Sequence, residues 1–329
     1  MGGNKILVTL PFPKEMISTY DDCVKRMEAL GFEVVLDPRG RALKEDELLE
    51  YAPDLYADVC STDAWSARVL EAAPNLRVIS RMGVGHETID VKAAAKQGVA
   101  VTITKGANAF DVAEFTLAMI LALSRKLREA DVGIRNGEWK RSFGHSLRNK
   151  TLGIIGLGGI GRYLTELVAG FDMKILATDI YHDEEFAKKH NVQYCSLEEL
   201  LRESDIVTVH LHVTDETRGL IGEAELKSMK PTAMFINCSR GAIVDEKALY
   251  QALVDKTIAG AALDVFEKEP IDPDNPLLAL DNVILSAHTA GISQEGRGKL
   301  VEMAFQQVID IYEGRVPEGV LNKDYLNNL

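Results

Sequence analysis

Cysteine is scarce in this chain of 329 residues: there are four, Cys23, Cys60, Cys195 and Cys238, and none fall in CxxC spacing. That pattern excludes a disulfide scaffold and a zinc knuckle. Basic residues are the minority charge, 37 Lys and Arg against 50 Asp and Glu, for a formal net charge of −13. A nucleic-acid partner normally calls for a basic face, so none is expected. Long apolar runs are missing as well. The longest, residues 115–123, is far too short to span a bilayer, and the first residues lead straight into an apolar strand without signal-peptide layout. Neither a low-complexity segment nor a solenoid-type repeat appears. What remains is an ordinary globular composition, 46% hydrophobic and 26% charged, long enough for two domains with a core each. These absences describe a cytoplasmic enzyme with no membrane and no nucleic-acid partner.

The most specific positive signal is the string TLGIIGLGGIG at residues 151–161. Residues 152–155 read as a buried strand, Gly156, Gly158 and Gly161 fall in GxGxxG spacing, and residues 162–169 continue at helical period. A dinucleotide needs that order: a tight turn at Gly156, close backbone approach at Gly158, and close helix–strand packing at Gly161. Its phosphates would sit on the helix N-terminus. A second apolar strand, residues 174–178, ends in Asp179, eighteen positions beyond Gly161. An acidic residue there bonds the ribose 2′-hydroxyl of NAD and repels the extra phosphate of NADP. With no arginine directly after Asp179, the cofactor is read as NAD.

Two alternations of strand and helix flank this picture. Strand candidates at 6–10, 33–36, 59–60, 77–79 and 99–102 alternate with helices near 21–30, 44–50, 66–72 and 91–96. A second series adds strands at 206–210, 234–237, 259–263 and 283–285. Such alternation makes parallel sheets. The helical pattern at 293–313 has no strand after it, which suggests that it returns to the first domain. The expected fold is therefore α/β with two doubly wound parallel sheets: a Rossmann domain, residues 103–289, inserted into a discontinuous flavodoxin-like domain, residues 1–102 and 290–329, with the two crossings hinged over a cleft.

Three strings follow predicted strands, the edge where open α/β sheets bind ligands. NCSRGAIVD (237–245) offers Arg240, whose fork of donors suits a carboxylate. ALDVFEKEP (262–270) offers Asp264 and Glu269, and ILSAHTAG (284–291) offers His288. Arg, Glu and His on separate strand ends fit hydride transfer between a 2-hydroxy acid and nicotinamide. Histidine moves the proton on the substrate oxygen, a carboxylate on its other nitrogen fixes the tautomer and supports the imidazolium, and arginine holds the substrate carboxylate and polarises the carbonyl. Taken singly, each has a plain reading as a surface turn, a solvated acid or a core histidine. Their joint occurrence behind a dinucleotide motif argues for catalysis.

With RMGVGHETID (81–90), GAN (106–108), VAE (112–114), the glycine motif, NCSRG, LDVFE, EP and HTAG, the sequence resembles the D-isomer-specific 2-hydroxyacid dehydrogenases along essentially its whole length. The resemblance implies Arg240, Glu269 and His288 as the catalytic set. It implies Asp264 on the nicotinamide carboxamide, Val84 and Gly85 cradling the substrate carboxylate, and Asn108 beside the substrate. Gly159, Ile160, Cys238, Ser239, Ala290 and Gly291 would complete the cofactor contacts, with His212 beside the adenine where the family usually carries proline. His210 and His212 would share a strand face, but no third ligand accompanies them, so no metal is expected.

Cys60 stands where phosphoglycerate dehydrogenases of this kind carry an arginine for the charged substrate, which points to a small unphosphorylated 2-oxo acid. Within the family the alternative is a short D-3-phosphoglycerate dehydrogenase without a regulatory domain. Outside enzymology it is an NAD-sensing scaffold like the related corepressors. The helix from Asp111 is apolar on more than one side, at Phe115, Leu117, Met119, Ile120, Leu121 and Leu123. That breadth suggests a homodimer.

Overall fold

The computed structural model describes residues 3–328, with the side chains of 326–328 left aside. It contains two compact units, one running through Asn108 and resuming at Ser293, the other spanning Ala109–Ile292. The first holds β1 (Lys5–Val8), α1 (Tyr20–Ala29), β2 (Glu33–Leu36), α2 (Glu45–Leu48), β3 (Leu55–Cys60), α3 (Ala67–Glu71), β4 (Val78–Arg81), α4 (Val91–Lys96) and β5 (Ala100–Ile103). The second opens with α5 (Ala109–Ser124) and α6 (Leu127–Arg135), then β6 (Thr151–Ile155), α7 (Gly159–Leu167), β7 (Lys174–Thr178), α8 (Glu184–His190) and β8 (Val192–Tyr194). It continues through α9 (Leu197–Glu203), β9 (Ile206–Val209), α10 (Glu223–Ser228), β10 (Met234–Asn237), α11 (Glu246–Val254), β11 (Gly260–Leu263) and β12 (Val283–Leu285). The long α12 (Gln294–Tyr312) belongs to the first unit.

Both sheets are parallel throughout. The first has the order β2-β1-β3-β4-β5, the flavodoxin-like arrangement. The second runs β12-β11-β10-β9-β6-β7-β8, a dinucleotide-binding order with a seventh strand added at the β12 edge. Apolar strands such as 206–209 (IVTV) are buried at every position, because helices cover both faces. In the first unit α1 and α12 cover one face, where Met27, Val301, Phe305 and Val308 pack on Ile6 and Val59. Leu48, Trp65, Leu70 and Ala94 cover the other.

The helix that suggested a dimer is occupied inside its own unit. On α5, Val112, Ala113, Met119 and Ile120 are buried, and Phe115, Leu117, Leu121 and Leu123 pack against the same cluster as Ile154 and Ile236. Its breadth of apolar surface reflects neighbours on several sides. The unpartnered apolar surface lies further on. α6 buries no residue, and Leu127 (62% exposed), Ile134 (56%), Trp139 (86%) and Phe143 (91%) stand in solvent.

One core feature carries an unusual charge. Asp58 on β3 is fully buried, and Trp65 Nε1–H donates to its Oδ2 at 2.6 Å. Asp63, also fully buried, accepts from the Thr9 hydroxyl at 2.6 Å and the Leu43 N–H at 2.8 Å. The two carboxylates approach within 4.8 Å, and Asp58 Oδ1 has no donor of its own. Two charges this close in a dry core do not both persist. Burial first, and then the neighbouring Asp63, hold the Asp58 carboxyl well above the usual carboxylate range, while burial pushes Asp63 to about 6. The unfolded chain ionises both near pH 4. Their contribution to stability is therefore complete below that pH and is lost as pH rises through the folded values. Asp58→Asn keeps an acceptor for Trp65 and supplies an N–H to Asp63. We expect it to flatten the loss of stability above about pH 4 and to raise Tm at pH 8 by about 2–4 °C per kcal/mol recovered. Thermal melts of both proteins from pH 4 to 8 check this, and an unchanged slope contradicts it.

Candidate active site

The glycine turn has the geometry that its spacing predicts. Gly156 directly follows β6 with φ +95°, a left-handed conformation, and a Cβ there would stand 2.6 Å from the His210 carbonyl oxygen. The backbones after β6 and β9 therefore meet where the strand order reverses, the crevice in which doubly wound sheets take ligands. A Cβ at Gly161 would stand 2.6 Å from the Gly156 oxygen, so this position fixes helix against turn, whereas Gly158 faces open space. Gly158 caps α7 without a side-chain bond. The first N–H groups of α7, from Gly159 and Ile160 onward, thus form an anion seat suited to a pyrophosphate.

Asp179 follows β7 and is held from both sides. The Leu157 N–H donates to its Oδ2 at 2.7 Å and the Tyr181 N–H to its Oδ1 at 3.0 Å. This fixes an anionic acceptor beside the glycine turn. Ile180 next to it is fully exposed, an apolar side chain suited to the face of a base. Its exposure depends on the fold around it and has no local signal in the sequence. His210 and His212 do not form a pair on one strand, because β9 ends at Val209. Burial pushes His210 down to about 4, which keeps it neutral, while His212 lies exposed in the loop beyond.

Arg240 follows β10. Its Nη1 donates to the Ser239 carbonyl at 2.8 Å, and its own carbonyl accepts from Asn237 Nδ2 at 3.0 Å. Ser239 in turn donates its N–H and hydroxyl to Asn237 Oδ1. Gly241 makes the next contact possible, since a Cβ there would collide with the Phe266 backbone at 2.0 Å. The arginine loop thus lies against the segment that carries Glu269. Cys238, Ser239 and Ala290 are nearly buried. For Cys238, burial pushes the thiol up to about 12, so it carries no thiolate chemistry.

The two remaining catalytic candidates touch. His288 Nδ1 lies 2.7 Å from Glu269 Oε2, with side-chain exposures of 50% and 35%, and Glu269 Oε1 accepts from the Phe266 N–H at 3.1 Å. A carboxylate at Nδ1 favours the tautomer that carries its proton there. Asp264 is fully buried at the end of β11. Its carboxylate accepts from the Ser286 hydroxyl and from the N–H groups of Thr289 and Ala290.

Among the substrate candidates of the first unit, Gly83–Gly85 form a braced loop. Arg81 Nε donates to the Gly85 carbonyl at 2.8 Å, its Nη1 to the Met82 carbonyl, and the Gly83 N–H donates to Thr104 Oγ1 at 2.7 Å. No acceptor among the described residues meets the N–H groups of Val84 or Gly85. Asn108 stands directly before α5. Cys60, at the end of β3, is fully buried, and burial holds its thiol well above the usual range. It offers no charge at that edge.

Comparison with known proteins supplies the context. A family model described as "D-isomer specific 2-hydroxyacid dehydrogenase, NAD binding domain" matches residues 117–290. A glyoxylate reductase of Korarchaeum cryptofilum is 44% identical over 269 residues, covering 80% of this chain and 81% of that protein. A D-3-phosphoglycerate dehydrogenase of Archaeoglobus fulgidus is 36% identical across 97% of this chain but only 59% of its own length. The crystal structure of a glyoxylate reductase from Paecilomyes thermophila superposes with a TM-score of 0.85 at 27% identity, covering 98% of this chain and 99% of that one. The two doubly wound sheets agree with these similarities. The chain belongs to the D-isomer-specific 2-hydroxyacid dehydrogenases and is an NAD-dependent oxidoreductase acting on the CH–OH group of 2-hydroxy acids.

Proposed function

We propose that the substrate is a small unphosphorylated 2-oxo acid of the size of glyoxylate, pyruvate or hydroxypyruvate, and that Glu269, His288 and Arg240 carry the reaction. The observation behind the catalytic part is the 2.7 Å bond between His288 and Glu269. Hydride arriving at C2 of the substrate leaves charge on its oxygen. His288 gives that oxygen a proton from Nε2, and Glu269 supports the imidazolium form that donates it. Arg240 holds the substrate carboxylate and polarises the carbonyl. When bound, NADH supplies the hydride. Asp179 takes the ribose hydroxyls of its adenosine half, and the N-terminus of α7 takes its phosphates.

Substrate size is argued from position 60. A phosphate needs cations to replace the hydration that it loses; the buried Cys60 supplies none, and the guanidinium of Arg81, its neighbour across the β3–β4 pair, is bonded to the Met82 and Gly85 carbonyls. The Val84 and Gly85 N–H groups suit a single anionic oxygen. The chain's similarity to glyoxylate reductases points the same way. A phosphorylated substrate is the second reading, favoured by Arg81, whose guanidinium lies under the Gly83–Gly85 loop.

A homodimer through α6 and the stretch after it fits the exposed Leu127, Ile134, Trp139 and Phe143. Work in a reducing cytoplasm fits four free thiols. No helix among the described residues is long and apolar enough to cross a membrane.

Three measurements test this reading. For substrate class, kcat/KM for hydroxypyruvate should exceed that for phosphohydroxypyruvate at matched NADH, and the reverse order would establish the second reading. For mechanism, His288→Asn should lower kcat by roughly 10²–10⁴-fold with NADH affinity nearly intact. In Glu269→Gln, reduction should fall off with rising pH from a lower pH than in the native enzyme, because the amide no longer supports the imidazolium. A Glu269→Gln profile identical to the native one removes Glu269 from the set. For the cofactor, Asp179→Ser should narrow the preference for NADH over NADPH by roughly tenfold or more, as loss of an ion–ion repulsion requires. Equal use of both cofactors by the native enzyme would refute this role for Asp179.

A further inference from the structure

His288 has a backbone that a side chain resists. Its φ is +52°, in the left-handed region that non-glycine residues rarely adopt. Neither neighbour relieves it, since Ala287 and Thr289 flank it and no glycine follows until Gly291. Something must hold the turn, and the bonds around it converge on one residue.

That residue is Asp264. Its backbone carbonyl accepts the His288 N–H at 2.8 Å. Its Oδ1 accepts the Ser286 hydroxyl at 2.6 Å and the Thr289 N–H at 2.8 Å, with the Thr289 hydroxyl at 3.4 Å. Its Oδ2 accepts the Ala290 N–H at 2.8 Å. Residues on both sides of His288 are therefore tied to one buried carboxylate, and the ladder pairing β11 with β12 holds that carboxylate in the sheet. Several bonds that meet at one carboxyl group in a dry site reinforce one another.

We propose that Asp264 and Ser286 are positioning residues for His288: together they impose its left-handed backbone, and through it the direction of Nδ1 toward Glu269. The proposal rests on the reading of His288 as the acid–base group. It gives Asp264 a role besides any contact with nicotinamide, because its oxygens are already engaged by the turn and it is fully buried. Ser286 matters because it is the donor that precedes the histidine. Thr289 and Ala290 both follow it, so without Ser286 the carboxylate restrains the turn from one side only. The imidazole then leaves the Glu269 oxygen for part of the time, and the imidazolium loses its support in proportion.

Ser286→Ala tests this without placing an uncompensated group at Asp264, and Ser286→Thr restores the hydroxyl. Three quantities are read for each: Tm, NADH affinity by fluorescence, and kcat for 2-oxo acid reduction from pH 5 to 9. Ser286→Ala should lower kcat about fivefold or more, since small misplacements of a reacting group are costly. It should also move the high-pH fall-off of reduction downward, in the same direction as Glu269→Gln, with NADH affinity within about twofold of native. Ser286→Thr should return the profile to its native position. Asp264→Asn, which turns an amide N–H toward backbone donors, should produce the larger loss. A native pH profile in Ser286→Ala overturns the proposal, even if Tm and kcat fall, because a merely structural bond would not move the profile. His288→Asn run in parallel separates the two levels. If it retains turnover, the acid–base reading itself is wrong. If it is inactive while Ser286→Ala keeps the native profile, only the positioning proposal fails.

Discussion

Parallel strand pairing is the constraint on which the remainder depends. Every strand of the second unit runs the same way, so every strand opens its C-terminal end at one edge. The candidate site residues come from distant parts of the chain: Gly156 after β6, Asp179 after β7, Arg240 after β10, Asp264 after β11, His288 after β12. None reaches that edge by its own local preference. The sheet register delivers them, and close approaches tighten the result. Gly156 allows the backbones after β6 and β9 to meet, and Gly241 allows the arginine loop to lie on the Phe266 backbone.

On this frame the proposed chemistry depends on a chain of hydrogen bonds from a fixed point. The Asp264 carboxylate is buried in the sheet and holds the turn, the turn holds the His288 backbone, and Glu269 holds the imidazole. Glu269 is itself held by the Phe266 N–H. The His288 side chain, the proposed proton donor, remains half exposed while the groups behind it are anchored. A group that must meet a diffusing substrate needs both properties.

Most of the frame was legible in the sequence because its signals are local and repeated. Runs with an apolar centre, such as KILAT at 174–178 and MFIN at 234–237, coincide with β7 and β10 to the residue. The three-residue β8 (Val192–Tyr194) has no sequence signal because it is short and half polar, and only pairing with β7 makes it a strand. Pairing also lengthened residues 59–60 into β3. At the site, residue type and position after a strand were enough to single out Arg240, Glu269 and His288. They could not show the contact between the last two, nor that Asp264 and Ser286 close the turn, since those depend on distances between loops. The apolar helix α5 misled for a related reason: composition reports how much surface is apolar, and only packing tells which neighbour covers it. The exposed surface lies instead on α6 and the residues after it, at Leu127, Ile134, Trp139 and Phe143.

The central claim is direct hydride transfer to one face of a 2-oxo acid with a proton delivered by His288. It is tested most directly by the fate of the label from NADH deuterated at the transferable C4 position. In ordinary water, reduction of hydroxypyruvate or pyruvate should give the D-2-hydroxy acid alone, with one deuterium on C2 and none from solvent at that carbon. Product of L configuration, deuterium missing from C2, or no reduction of any small 2-oxo acid by a protein that binds NADH would contradict the account.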